Sequence, residues 1–134
     1  MTIAPPSNAT SSPNMRGAIA SVKQIDIGNA YLIFVSGIQP PKNENHRVVT
    51  DDVAEQTKLV FAEIEKLLAA VGATLDHVVK AVIYLTDIGD FAVVSPIRDQ
   101  LFQKSKPVST LAQISRLTRD GAKIEIEVTA VLPK

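Results

Sequence analysis

Glu125 and Glu127 stand two residues apart in Lys123-Ile-Glu-Ile-Glu-Val-Thr-Ala-Val131, a stretch that alternates strictly between polar and apolar side chains. Such alternation belongs to a strand with one buried face, so both carboxylates share the other face, close enough for each to disfavour ionisation of its neighbour. The pair suits general acid or base work. The alternative is a solvated edge, or carboxylates satisfied by Lys123 and an arginine of a neighbouring chain. Ser36 closes an apolar run just before Gly37, where its hydroxyl could line a pocket or cap a turn. With no histidine base nearby in sequence, it is not expected to act as a nucleophile.

Other chemistry is sparse. His46 and His77 are the two histidines; neither has metal-ligand spacing with carboxylates, so both read as surface residues and no metal site is expected. Arg116 and Arg119 flank Leu117-Thr118 in a stretch that reads as a solvated turn. The chain has no cysteine, which removes disulfides, thiolate nucleophiles and thiolate metal sites. It also has no Gly-rich phosphate loop, Gly-x-Ser-x-Gly elbow or His-Glu-x-x-His helix, and no cofactor is expected.

The elements that must position these groups follow from periodicity. Residues 1–15 carry prolines with Ser, Asn and Thr and no apolar period, which predicts a loose tail; the Asn8-Ala9-Thr10 glycosylation pattern there is read as chance. Residues 16–134 form one domain. Val22, Ile25 and Ile27, a Gly28-Asn29 turn and the run Tyr31 to Ser36 predict a hairpin, followed by a Pro40-Pro41 loop. Thr50, Asp51 and Asp52 are candidate N-caps, with Glu55 at capping-box spacing from Asp52. Val53, Val60, Ile64, Leu67, Leu68 and Val71 then mark one face of a helix that ends at Gly72.

Val78 to Thr86 is rich in β-branched residues and reads as a strand; Asp90 caps a second helix running to about Lys104; Thr110 to Ser115 and Ala122 to Val131 are closing strands. The order is β-β-α-β-α-β-β, an α+β layer with two helices on one face of a mixed sheet. In the central strand, Val79, Ala81, Ile83 and Leu85 form one face, yet Val78, Val82 and Tyr84 opposite are also apolar. Two helices cannot cover both faces, so a second copy of the chain is expected to supply the other cover.

Composition narrows the partners. Fourteen basic residues balance fourteen acidic ones in 134 residues, leaving no long-range field to gather nucleic acid or anionic membrane. No apolar run reaches membrane-span length and the N-terminus lacks a basic region followed by an apolar one, so a cytoplasmic location is expected.

Four blocks follow one another along the chain: Ile33-Phe34-Val35-Ser36-Gly37; Glu55-Gln56-Thr57; Val78 to Asp87 with Asp90-Phe91; and Pro107 to Val131. In that order, over roughly residues 16 to 132, the chain resembles the reactive-intermediate deaminase (Rid, or YjgF) family. In deaminating members a Pro-Ala-Arg-Ser segment carries the arginine that grips the carboxylate of an imine or enamine substrate. Here the segment is Pro107-Val108-Ser109-Thr110, with Ser109 in the arginine's place. The family's Gly-Pro-Tyr-Ser aligns with Ile19-Ala20-Ser21-Val22, so Ser21 stands where a pocket-bordering tyrosine would be.

The resemblance implies a chorismate-mutase-like fold, assembled as a homotrimer with pockets between subunits. It implies that Glu125 positions or activates water, with Ser36 and Thr110 on the hydrogen-bonding edge. The missing cation would come from Lys106, Arg116, Arg119 or Arg16. The expected function is water-mediated deamination or hydrolysis of a small reactive imine, enamine or related metabolite, with weak activity on ordinary 2-iminoacids because of Ser109. A non-catalytic member that binds a small ligand or protein in the same cleft is the alternative. Ribonuclease or translation-inhibitor activity, attached to some relatives by name, is disfavoured by neutral charge and few aromatics.

Overall fold

The computed structural model describes residues 8–10 and 19–134. Its strands are β1 (Asn8–Thr10), β2 (Val22–Asp26), β3 (Ala30–Ile38), β4 (Val78–Leu85), β5 (Val108–Gln113) and β6 (Ile124–Pro133), and its helices α1 (Val53–Ala70) and α2 (Phe91–Leu101). One sheet runs in the order β1-β2-β3-β6-β4-β5. Every pair is antiparallel except β4 with β5, so the sheet is mixed, as the sequence predicts. Within the expected loose tail, Asn8–Thr10 add an edge strand to β2 that the apolar pattern does not announce. Residues 1–7 and 11–18, Arg16 among them, lie outside the described residues.

Both helices cover one face of the sheet. Ile33, Val35, Ala81, Ile83, Leu85, Ile124, Ile126, Val128 and Ala130 are buried there against Val60, Phe61, Ile64 and Leu68 of α1, and Phe61 meets Phe102 edge-on at 5.4 Å between ring centroids. The core side chains come from strands of period two and a helix stripe of three and four, so the sequence pattern and the packing agree. Among the described residues no helix is long and apolar enough to cross a membrane.

Three local expectations change. Asp52 caps α1 by accepting the Ala54 N–H at 3.1 Å, but Thr50 Oγ1 intercepts both the Asp52 N–H (3.1 Å) and the Glu55 carboxylate (3.5 Å), so the reciprocal half of the capping box does not form. Asp90 makes no side-chain cap; Asp87 accepts the Gly89 N–H at 2.8 Å and starts a 3-10 turn, Ile88–Asp90, that leads into α2. In β4 the register against β6 slips between Val78 and Lys80. The extra residue there turns Val79 out to 45 % exposure and puts Val78, not Val79, on the helix side.

The opposite sheet face has no helix over it. Phe34 is 43 % exposed and Val108 69 % exposed, and Val82 and Tyr84 are half-buried between them. Fully buried Gln56 is the notable polar group of the core. Its Nε2 donates to Thr50 O (2.8 Å) and Gly121 O (3.0 Å), and its Oε1 accepts the Lys123 N–H (2.9 Å). The start of α1 is thereby tied to the residues that open β6.

The outer end of the β2–β3 hairpin is closed by Lys134, whose Nζ lies 2.8 Å from Asp26 Oδ2 and 5.0 Å from the Tyr31 ring centroid. The Lys134 hydrogen bond, with a further one from the Gly28 N–H, holds the Asp26 carboxyl below its ordinary 3.8. A carboxyl with a depressed folded pKa stabilises the fold above its unfolded value and loses that contribution as pH falls through the folded one. Asp26→Asn is therefore expected to lower stability at neutral pH, with the gap closing as pH falls below the ordinary 3.8 and through the depressed folded pKa, as read by urea unfolding of both proteins across pH. A gap independent of pH would show that the ion pair contributes nothing. Because both side chains are partly exposed, the gap should also shrink in high salt.

Candidate functional site

The site grows from an irregularity in β3. Its pairing with β6 runs Val35 to Val128 and then Ile38 to Ile126, so three steps along β3 match two along β6. This bulge falls on Ser36 and Gly37, opposite Glu127. Ser36 N–H donates to Ser21 O at 2.9 Å, while the Ser36 Oγ is buried with no hydrogen-bond partner. A buried hydroxyl without a partner is uncommon and marks a place where a ligand or water completes the set.

Gly37 provides the space for Glu125. A Cβ at Gly37 would lie 2.6 Å from both Cδ and Oε2 of Glu125, so the carboxylate rests directly on the glycine. Its other oxygen, Oε1, accepts from Gln39 Nε2 at 3.0 Å. Gln39 Nε2 also donates to Thr118 Oγ1 at 2.8 Å, and Gln39 Oε1 accepts the Arg119 N–H at 3.0 Å. Arg119 closes the arrangement by donating through Nη1 to Pro40 O (2.8 Å) and Gln39 O (3.4 Å). The loop between β5 and β6 is held from the other side by Arg47, 3.1 Å from Asp120 and 2.9 Å from Asp51. These carboxylates, Asp120 by its hydrogen bond first, raise the Arg47 pKa above its ordinary value.

The remaining candidates separate by face. Glu127 is paired with Val82, and Val82 with Thr110, so these three form a row across the uncovered face; Glu125 and Tyr84 form the next. Ser21 and Ser36 line a concavity of about 340 Å³ with Lys23, Phe34, Glu127 and Thr129. Ser109 is paired with Ala81, a helix-side residue, and lines a different cleft of about 420 Å³ with Arg98, Phe102, Gln103 and Lys106. One chain therefore does not bring Ser109 and Glu125 together.

Arg116 is exposed in a third cleft made by the β5–β6 loop. Arg119 is engaged by backbone carbonyls, so the two arginines of that turn are not equivalent. Gln39 was not singled out by the sequence: it lies between Ile38 and Pro40, outside any period. Its one signal is position, immediately after the strand that carries Ser36-Gly37. Among the described residues no group of His, Asp and Glu could hold a metal ion.

With that geometry in place, comparison with known proteins is decisive for ancestry. The family model described as Endoribonuclease L-PSP matches residues 16–132. The chain belongs to that family, the YjgF or Rid family. A RutC family protein of Pyrococcus abyssi is 40% identical over 106 residues, covering 79% of this chain and 81% of its own. The 2-iminobutanoate/2-iminopropanoate deaminase of Bos taurus is 35% identical over 99 residues, covering 74% and 72%. The crystal structure of Escherichia coli TdcF with bound serine superposes with a TM-score of 0.71 at 26% identity, covering 92% of each chain. The chorismate-mutase-like α+β fold expected from the sequence is shown, and the relatives' names support a deaminase-type role.

The contact between Gly37 and Glu125 has a direct test. The atoms a new methyl would meet belong to the end of a flexible side chain. Gly37→Ala is therefore expected to fold, with a melting temperature within about 5 °C of wild type, while a crystal structure shows the Glu125 carboxylate displaced. An unmoved carboxylate would mean that the strand, not the side chain, gives way.

Proposed function

We propose that this Rid-family protein hydrolyses small reactive imines or enamines to carbonyl compounds and ammonia, with Glu125 holding the attacking water. The observation that carries the reading is the fixed Glu125 carboxylate, with one oxygen bound by Gln39 and the other lying against Gly37, the residue that follows the unpartnered Ser36 hydroxyl. In the reaction, Glu125 accepts a proton from water as the water oxygen bonds to the imine carbon. In the tetrahedral adduct the nitrogen takes that proton back from Glu125 and a second one from the new hydroxyl; the C–N bond then breaks, ammonia leaves, and the oxygen that lost its hydrogen becomes the C=O that replaces the C=N. Balanced charge and few aromatics favour a small molecule over nucleic acid.

The proposed site lies between chains. Ser109 and Glu125 occupy opposite faces of one sheet, and the Glu125 face is the one left apolar and uncovered. In a homotrimer, the cleft of one chain carrying Ser109, Lys106 and Arg98 would meet the Glu125, Ser36 and Thr110 face of the next. Light scattering at micromolar concentration is expected to give three times the 14.4 kDa chain mass. A monomer alone would remove the intersubunit site.

Turnover is tested on 2-iminoacids generated in situ from amino acids, with ammonia as the readout. Glu125→Gln should reduce kcat by roughly a hundredfold or more, and Glu127→Gln by only a few-fold. Ser109→Arg should raise activity on carboxylate-bearing imines by about ten- to a hundredfold, as a charge-assisted bidentate contact would. Equal, small effects of the two glutamate variants would return both to a solvated edge. Retained ligand binding without turnover would support the non-catalytic alternative.

A further inference from the structure

We infer that Gln39 is the positioning residue of the site, and that it divides the work of the two Glu125 oxygens, reserving Oε1 as a fixed acceptor and leaving Oε2 to handle the proton. The inference rests on the proposed role of Glu125 and deepens it.

The direction of the Gln39 amide is set by a group that cannot turn. The Arg119 backbone N–H is a donor only, and Gln39 Oε1 accepts it at 3.0 Å. Nε2 must then face the other way, where both of its hydrogens are used, one on Thr118 Oγ1 at 2.8 Å and one on Glu125 Oε1 at 3.0 Å. Flipping the amide would set its oxygen against the carboxylate and its NH₂ against the Arg119 N–H, two repulsive contacts in place of two hydrogen bonds; only the Thr118 hydroxyl could adapt, by donating. Arg119 is itself anchored on Gln39 O and Pro40 O, so the reference for the amide is rigid.

This fixes the chemistry of the carboxylate. A proton placed on Oε1 would point into the Gln39 N–H, whereas among the described residues nothing donates to Oε2. Oε2 lies over Gly37, where a Cβ would be only 2.6 Å away, so the missing side chain lets the carboxylate settle against the strand with Oε2 free of a donor from the described residues. When the carboxylate accepts a proton from water, the broken O–H bond is replaced by one to Oε2, and the Gln39 hydrogen bond persists in both protonation states. The arrangement is pre-organised: it need not rearrange when the proton moves.

Gln39→Met keeps length and approximate shape and removes all three amide contacts. Its crystal structure is expected to show Glu125 displaced from Gly37 or split between conformers, and hydrogen exchange at the Arg119 amide should quicken by tenfold or more. A single unmoved Glu125 conformer over Gly37 would overturn the inference, whatever the activity. In kinetics, loss of positioning alone should lower kcat roughly ten- to a hundredfold with KM changed less than about twofold. An unchanged kcat in Gln39→Met, in a protein where Glu125→Gln abolishes turnover, would also overturn it. Turnover that survives Glu125→Gln would instead defeat the functional reading, and the crystallographic result would still decide the positioning.

Discussion

A primary amide withdrawn from water must find acceptors for its N–H groups and a donor for its oxygen, and two glutamines do so by binding the same loop. Gln56, fully buried, holds Gly121 O and the Lys123 N–H to Thr50 O. Gln39 holds Thr118 and the Arg119 N–H to the end of β3. An unsatisfied buried polar group costs about 1–3 kcal/mol, so Gln56 and its loop partners cannot be lost alone without that penalty, while the half-buried Gln39 adds a weaker tie. Gly121 completes the fit, because its positive φ of 83° and a Cβ contact of 2.9 Å with Val48 exclude a side chain. Immediately after those two anchors β6 begins, and its second residue is Glu125. The place of the carboxylate thus depends on polar satisfaction more than on apolar packing.

The sheet supplies the second constraint. In a strand of period two, a single extra residue moves every later side chain to the other face, and this fold uses that device twice. The bulge at Ser36-Gly37 opens the space in which Glu125 lies. The slip at Val79 turns an apolar side chain outward onto the uncovered face. The consequence for function is a division of labour: Ser109 belongs to the α2 side of the sheet, Glu125 to the face without helices. A site that uses both needs two chains.

Much of this was legible beforehand. The α1 stripe, its Asp52 cap, the faces of β6 and the α+β order follow from local rules and agree with the fold. The errors have local causes as well. Asp87 and Asp90 are equally good caps by type, and the choice fell to the one whose backbone is extended, with Asp87 at ψ 115° and Asp90 at ψ −8°. Thr50 competes with Asp52 for Glu55 because the chain before α1 folds back on itself. The short strand Asn8–Thr10 has no apolar period because it pairs only at the sheet edge, through backbone hydrogen bonds.

What the sequence by itself determined is the elements other than the edge strand Asn8–Thr10, the apolar faces other than at Val78-Val79, and the family, because hydrophobic periodicity and ordered motifs are local properties of the chain. It also placed Glu125 and Glu127 on one face, since alternation requires it. What only the tertiary structure decided is which carboxylate is gripped, by what, and that Arg119 of the two turn arginines is engaged by backbone carbonyls. Gln39 and Glu125 are 86 residues apart, and Gln39 and Arg119 80 apart. No local rule relates residues at that separation; they meet because β3 and β6, distant in the chain, are neighbours in the sheet.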